Sequence, residues 1–165
     1  MSGTPRLALP FLSAGQAQKE FTHNEALQAL DMIVAGAVEE GPRAVPPASP
    51  MVGVCYIVDT SPTGAWAGKA QSVAGFTNGG WRFVVPVEGA SLYVKASGTW
   101  ANYRLGAWEI GTLRGSKVVL GGQQVVGSRA AAIASATGGT TIDIQARTAV
   151  DQILSALRQH GLIET

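Results

Sequence analysis

The stretch TGAWAGKAQSVAGFTNGGWRF, residues 63–83, decides how the middle of this 165-residue chain folds. Its NGG turn sequence leads into the run WRFVV, where alternation places Trp81, Phe83 and Val85 on one face of a strand. We predict that this aromatic face lies in the core. Trp66 stands instead in a turn-like setting between glycines, and we expect its ring to be partly exposed.

Short runs of β-forming residues separated by turn sequences also occur on both sides of this stretch. Between Met51 and Val126, β-branched and aromatic residues fill the gaps between turn signals that recur about every eight to twelve residues. This spacing predicts short antiparallel strands, arranged as a small sandwich or a meander. Pro86 marks an edge or the end of a strand.

The flanking segments predict helices. Helix-forming residues with helical apolar spacing cover 16–40, and a proline-rich spacer follows over 41–50. The β-rich region then covers 51–127, and 128–165 forms a connector and a C-terminal helix. Residues 1–15 read as an extended docking segment. The predicted fold class is therefore α+β, with an N-terminal helix, a proline spacer, a small antiparallel β unit and a C-terminal helix.

The C-terminal helix has clear end signals. Thr140 is a suitable N-cap with Asp143 at the third helical position. At the other end, Gly161 can take the left-handed conformation after the last turn, and Leu162 can fold back onto that turn.

Composition excludes some classes of partner. Twelve basic and 11 acidic residues give a net charge of +1, and the chain has no basic run, so a nucleic-acid binder is not expected. No segment is long and apolar enough to suggest membrane insertion. The lone Cys55 lies in an apolar run and reads as a small buried residue. We expect a soluble protein made in the bacterial cytoplasm.

The titratable residues do not form a catalytic motif. His23 lies within the first predicted helix, and His160 is explained as a cation near a helix C-terminus. Asp59, Glu88 and Glu109 are scattered over separate parts of the β region. We therefore predict no enzyme activity, no metal and no cofactor. A cell-wall hydrolase would require two of these acids to meet in a cleft.

Apolar positions on the helices and at the N-terminus predict association. Charged residues make up 14% of the chain, which leaves few of them to solvate these surfaces. We predict a homo-oligomer, with a trimer favoured over a pentamer. The candidate oligomer and docking residues are Leu7, Leu9, Phe11, Leu27, Leu30, Val34, Ile153 and Leu157.

The aromatic residues suggest a second function. Sugar rings stack on tryptophan and tyrosine while neighbouring polar groups bind their hydroxyls. The alternative is that these large side chains fill a small β core. Asn102 is a further source of hydrogen bonds, and the candidate glycan-binding residues are Trp66, Trp100, Tyr103, Arg82 and Asn78.

Three motifs together resemble a known family. They are LPFLSAGQAQKEFTHNEALQALD, PTGAWAGKAQSVAGFTNGGWRFVVPVEG and GGTTIDIQARTAVDQILSALRQHGLIE. The chain resembles a domain family of unknown function from alphaproteobacterial prophages and gene transfer agents. That resemblance implies a virion component, a head spike or fibre protein that contacts other virion proteins and host capsular polysaccharide. It leaves open whether this chain is an adhesive tip or a base that carries one.

Overall fold

The computed structural model describes residues 3–12 and 19–164. Within these residues the protein is mostly β, with nine strands and two α-helices. The elements, in chain order, are α1 (Lys19–Ile33), β1 (Ala37–Val38), β2 (Cys55–Ile57), a 3-10 turn (Gly64–Trp66), β3 (Val73–Thr77), β4 (Gly80–Val84), β5 (Ser91–Val94), β6 (Thr99–Arg104), β7 (Ala107–Ile110), β8 (Val118–Leu120), β9 (Gln123–Val126) and α2 (Ile144–Gln159).

The predicted α+β class is wrong. The described strands form three sheets rather than one small antiparallel unit: β1-β5-β6-β7, β2-β3-β4 and β8-β9. Most neighbouring strands are antiparallel, but β1 runs parallel to β5. The chain divides into two compact units, one ending at Leu113 and the other beginning at Arg114.

Helix α1 ends well before residue 40, where the sequence placed its end. Ala35 adopts a positive φ of 48°, which stops the helical path. A Cβ atom on Gly36 would lie 2.3 Å from Cδ2 of Leu92, so a larger residue here would have to displace this buried leucine where the chain approaches β5. Residues 37 and 38 consequently pair with β5 instead of continuing the helix.

The described N-terminal residues 3–12 are folded back rather than extended. The buried carboxylate of Asp31 accepts hydrogen bonds from Thr4 Oγ1 at 2.7 Å and from the backbone nitrogen of Arg6 at 2.9 Å. The Arg6 guanidinium donates to the carbonyl oxygen of Met32 in the last turn of α1 and to that of Ala35 just beyond it. Carbonyl groups at a helix C-terminus have no partner within the helix, so these bonds satisfy them. This segment therefore caps α1.

The proline-rich residues 41–50 do not act as a spacer. The Arg43 nitrogen donates to Ile57 O at 3.1 Å, and its carbonyl accepts from Asp59 N at 3.0 Å. Thr63 N also donates to Ala44 O at 2.9 Å. These bonds hold the stretch against β2 and the 3-10 turn, inside the first unit.

The sheet β2-β3-β4 is covered on both faces. One face packs against the four-stranded sheet and α1 through a core of Met32, Val38, Cys55, Ile57, Val73, Leu92, Val94 and Ala101. The opposite face carries a second cluster of Val54, Tyr56, Val58, Trp66 and Ala74, with Phe76, Trp81 and Phe83 packed against it. The predicted sharing of one face by Trp81 and Phe83 is confirmed. The inclusion of Val85 is wrong, because β4 ends at Val84 and Val85 is 76% exposed.

Trp66 does not have the exposed ring that was predicted. Its side chain is 0% exposed, and its ring centroid lies 5.0 Å from that of Trp81 and 5.7 Å from that of Tyr56. The 3-10 turn lays this ring over the second face of the sheet. Trp66 is thus a core residue, and Trp81 at the edge of the same cluster is only partly buried.

The second unit contains α2, whose C-terminal signals were read correctly. Gly161 has a φ of 69°, and Leu162 N donates to Leu157 O at 2.9 Å, as predicted. The N-cap prediction is wrong: Asp143 takes this position and accepts from Ala146 N at 2.9 Å. Asp and Thr are both favoured at helix N-caps, so this preference does not distinguish Thr140 from Asp143.

Truncating Trp66 tests the second core cluster. We expect Trp66→Ala to lower the free energy of unfolding by about 3–5 kcal/mol, as buried aromatic truncations do. Trp100→Ala, at a ring that is 51% exposed, serves as the control and should cost less than about 1 kcal/mol. Urea unfolding measures both, and equal losses would contradict the burial of Trp66.

Cys55 should be inert in the folded protein. Burial raises the pKa of its thiol to about 11. The thiol therefore stays protonated and shielded at pH 8, where a free cysteine is partly ionised. We expect no reaction with a disulfide reagent at pH 8 until urea unfolds the chain. Rapid labelling of the native protein would show that this core opens readily.

Candidate functional site

The exposed face of the four-stranded sheet displays two aromatic rings. Along β5, Leu92 and Val94 are buried while Tyr93 between them is 38% exposed. On β6, Ala101 is fully buried and its neighbour Trp100 is 51% exposed. Strand alternation thus sends the aliphatic side chains into the core and the aromatic ones to the surface.

Tyr93 and Trp100 form a pair on this surface. They stand opposite each other in the strand register, with ring centroids 5.7 Å apart and planes inclined by 70°. Their neighbours across the sheet are small. Ala37 stands beside Tyr93. Gly111 lies beside Trp100, and its nitrogen donates to Trp100 O. The aromatic pair is therefore flanked by residues too small to cover it.

A polar row lies next to the aromatic pair. Ser91, Asn102 and Glu109 stand opposite one another across β5, β6 and β7. Ser91 Oγ donates to Asn102 Oδ1 at 2.9 Å, and Arg104 Nη1 lies 3.7 Å from Glu109 Oε1. Hydroxyl, amide and charged groups are thus held beside two exposed rings.

This arrangement matches the chemistry of carbohydrate recognition. Aromatic faces stack on the C–H surface of a sugar, and fixed polar groups exchange hydrogen bonds with its hydroxyls. A sheet face is nearly flat, with strands about 4.8 Å apart, so it presents such groups in rows. We name the face formed by Ser91, Tyr93, Trp100, Asn102 and Glu109 the aromatic face.

The predicted glycan-binding residues do not come together. Trp100 lies on the aromatic face, whereas Tyr103 lies on the opposite side of β6, with its ring centroid 5.2 Å from that of Trp108. The Arg82 guanidinium binds the Glu25 carboxylate at 2.9 Å and so joins β4 to α1. Asn78 is exposed in the turn between β3 and β4. Trp66 is buried, so its ring is not accessible for stacking on a sugar.

Sequence reasoning missed Tyr93. The signal was present in the run SLYV, where alternation pairs Ser91 with Tyr93 on one face and Leu92 with Val94 on the other. What the sequence did not contain was the register that sets Tyr93 opposite Trp100.

The predicted association residues differ in exposure. Those that are exposed are Leu7, Leu30, Val34 and Ile153. Those that are partly buried are Leu9, Phe11, Leu27 and Leu157. The first group remains available for contact with another chain.

Comparison with family models identifies this chain. The model of a family described as a protein of unknown function, DUF2793, matches residues 23–109, which is more than half of the chain. The chain belongs to the DUF2793 family. The matched residues include the whole aromatic face, while the N-terminal cap at 3–12 and the second compact unit lie outside them. No curated protein matches the chain.

A groove of about 310 Å³ lies within the DUF2793 region, where the chain passes from one sheet to the other. Glu39 links the sheets, since its nitrogen donates to Cys55 O and its carbonyl accepts from Ala96 N. The groove is lined by Glu39, Glu40, Arg43, Ser49, Pro50, Met51, Val54, Tyr56 and Ala96.

The charged groups of this groove are engaged with one another. Lys95 Nζ lies 2.6 Å from Glu39 Oε1, and Glu40 forms an ion pair with Arg43. The Arg43 guanidinium lies 5.5 Å from the centroid of the Tyr56 ring. Burial, assisted by the charge of Glu39, raises the pKa of Tyr56. These contacts favour a structural role for both carboxylates.

The three acids considered for catalysis also have local partners. Asp59 Oδ1 accepts from Thr60 N at 2.6 Å, and Glu88 Oε2 accepts from Leu105 N at 2.8 Å. Glu109 belongs to the aromatic face. Among residues 3–12 and 19–164, no three His, Cys, Asp or Glu side chains are grouped to hold a metal ion. Over the same residues, no helix has the length and apolar character needed to cross a bilayer.

Proposed function

We propose that this protein is a non-enzymatic structural component of a phage-like particle, a head spike or fibre protein that contacts capsular polysaccharide. The observation that carries the proposal is the aromatic face, on which Tyr93 and Trp100 are exposed beside Ser91, Asn102 and Glu109. The resemblance of three sequence motifs to prophage and gene transfer agent proteins supports the location in a particle. Such a particle would be assembled in the bacterial cytoplasm with other virion proteins.

A repeating polysaccharide suits the geometry of this face. Trp100 and Tyr93 form one end, and the polar row runs parallel to them across three strands. One sugar can stack on Trp100 while the next reaches the Ser91 hydroxyl and the Asn102 amide. Single contacts of this kind are weak, and several copies on one particle would add to the overall strength of attachment.

The proposed protein is a homo-oligomer, and a trimer is favoured over a pentamer. Exposed apolar side chains on α1 and in the second unit support association. The expected solution mass is three times the chain mass of 17.0 kDa.

A second candidate is a carbohydrate-binding module of a cell-surface or cell-wall-acting protein. The aromatic face supports this second function equally, because a carbohydrate-binding module requires a glycan ligand but no particle. Immunogold labelling of purified particles and of whole cells separates the two functions. Labelled particle heads support the spike, and label found only on the cell envelope supports the module.

The binding itself is tested with capsular polysaccharide from the bacterium that carries the gene, by affinity electrophoresis. We expect Trp100→Ala and Tyr93→Ala each to raise the dissociation constant obtained from the retardation at least about tenfold, which corresponds to about 1.4 kcal/mol of binding free energy. Phe21→Ala, which removes an aromatic ring that is 70% exposed on α1, is the matched control and should bind as the unaltered protein does.

Two results would contradict the proposal. One is equal retardation of the Trp100→Ala and Phe21→Ala variants, which would place any binding elsewhere. The other is progressive shortening of the polysaccharide during incubation, because a non-enzymatic protein leaves its chain length unchanged.

A further inference from the structure

Two cationic side chains beside the aromatic face each lie within ion-pairing distance of a carboxylate. Lys95 Nζ is 2.6 Å from Glu39 Oε1, and Arg104 Nη1 is 3.7 Å from Glu109 Oε1. Both cations are accessible, since their side chains are 53% and 43% exposed. An acidic sugar that reached either cation would therefore bring its own negative charge close to a carboxylate of the protein, which is unfavourable.

The Glu39–Lys95 pair is next to the aromatic rings. Lys95 N donates to Val38 O at 2.9 Å, which extends the pairing of β1 with β5 by one residue. Strand alternation then places Lys95 on the same side of the sheet as Tyr93, roughly 7 Å further along the chain. A sugar stacked on Tyr93 thus has this ion pair as a direct neighbour.

The polar row of the aromatic face is rich in hydrogen-bond acceptors. Asn102 Nδ2 lies 3.5 Å from Thr112 O, and a carbonyl oxygen only accepts, so the amide oxygen of Asn102 is the atom that faces Ser91. Ser91 Oγ uses its one proton in the bond to Asn102 Oδ1 at 2.9 Å. Toward a ligand, the Ser91 hydroxyl and the ionised Glu109 carboxylate can then only accept. A ligand has to supply donors to this row, which sugar hydroxyls do and an ionised carboxylate does not.

The two exposed rings favour the same kind of ligand. The face of an aromatic ring carries partial negative charge, and its edge carries partial positive charge. The C–H surface of a sugar is attracted to such a face, whereas a carboxylate placed over it is repelled. Tyr93 and Trp100 therefore add to the preference set by the ion pairs and by the polar row.

We propose that the aromatic face selects a neutral polysaccharide over an acidic one, and that the Glu39–Lys95 pair enforces this choice by keeping Lys95 neutralised. The inference rests on the proposed function and names the class of glycan that the same site binds. The sugars in contact with the face present hydroxyl groups and carry no carboxylate.

The test uses two forms of one capsular polysaccharide, taken from the bacterium that carries the gene. In the neutral form its carboxylates are reduced to primary hydroxyls, and in the acidic form its primary hydroxyls are oxidised to carboxylates. We expect the full-length protein to bind the neutral form at least about tenfold more tightly in affinity electrophoresis, because like charges across an interface are unfavourable. Equal or tighter binding of the acidic form overturns the proposal.

A pair of matched variants tests the part played by Glu39. Glu39→Gln releases Lys95 to meet a carboxylate, and it should narrow the preference for the neutral form to about threefold, as expected for one exposed ion pair. Glu25→Gln makes the same substitution on α1, where it releases Arg82, and it should keep the full preference. A preference that is equally strong in both variants overturns the assignment to the Glu39–Lys95 pair.

Failure of this inference differs from failure of the proposed function. If the acidic form is bound more tightly and Trp100→Ala weakens that binding, the aromatic face still binds a glycan and its selectivity for neutral sugars is refuted. If neither form is bound by the unaltered protein, the proposed function is rejected together with the inference. Unchanged tryptophan fluorescence of each Glu→Gln variant verifies that the core around Trp66 remains folded.

Discussion

The burial of the sheet β2-β3-β4 on both of its faces is the constraint on which the first unit depends. One face requires the four-stranded sheet and Met32 of α1, and the other requires the 3-10 turn with Trp66. A sheet covered in this way leaves its aromatic residues at most partly exposed. Two ring pairs in this cluster, Trp66–Trp81 and Phe76–Trp81, have centroids 5.0 Å apart. We infer that they stabilise the packing of the core.

The four-stranded sheet is built differently, and this difference places the candidate site. Its inner face joins the core through Leu92, Val94 and Ala101, while its outer face keeps Tyr93 and Trp100 accessible. The same residue types thus have two roles in one short chain. Position relative to the two core clusters, rather than the type of residue, separates structural aromatic rings from those available to a glycan.

Local sequence signals predicted the features that depend on neighbouring residues. Alternation placed Trp81 and Phe83 on one face, and glycine preference placed the left-handed residue after α2 at Gly161. The errors arose where distant contacts decide the outcome. Trp66 lies between glycines, yet it is buried because its turn crosses a sheet face. Helix α1 ends at Ile33 because Ala35 turns the chain and residues 37 and 38 pair with β5. The pairing of Tyr93 with Trp100 likewise depends on strand register, which no short pattern contains.

The central claim is that one exposed tryptophan on the outer face, and not the buried aromatic cluster, meets the polysaccharide. The most direct measurement is a ¹H–¹⁵N spectrum of the four indole groups during titration with capsular oligosaccharide. The account predicts that the Trp100 signal shifts while those of Trp66 and Trp108 stay in place. A titration that moves the Trp66 or Trp81 signal and leaves Trp100 unchanged would contradict it.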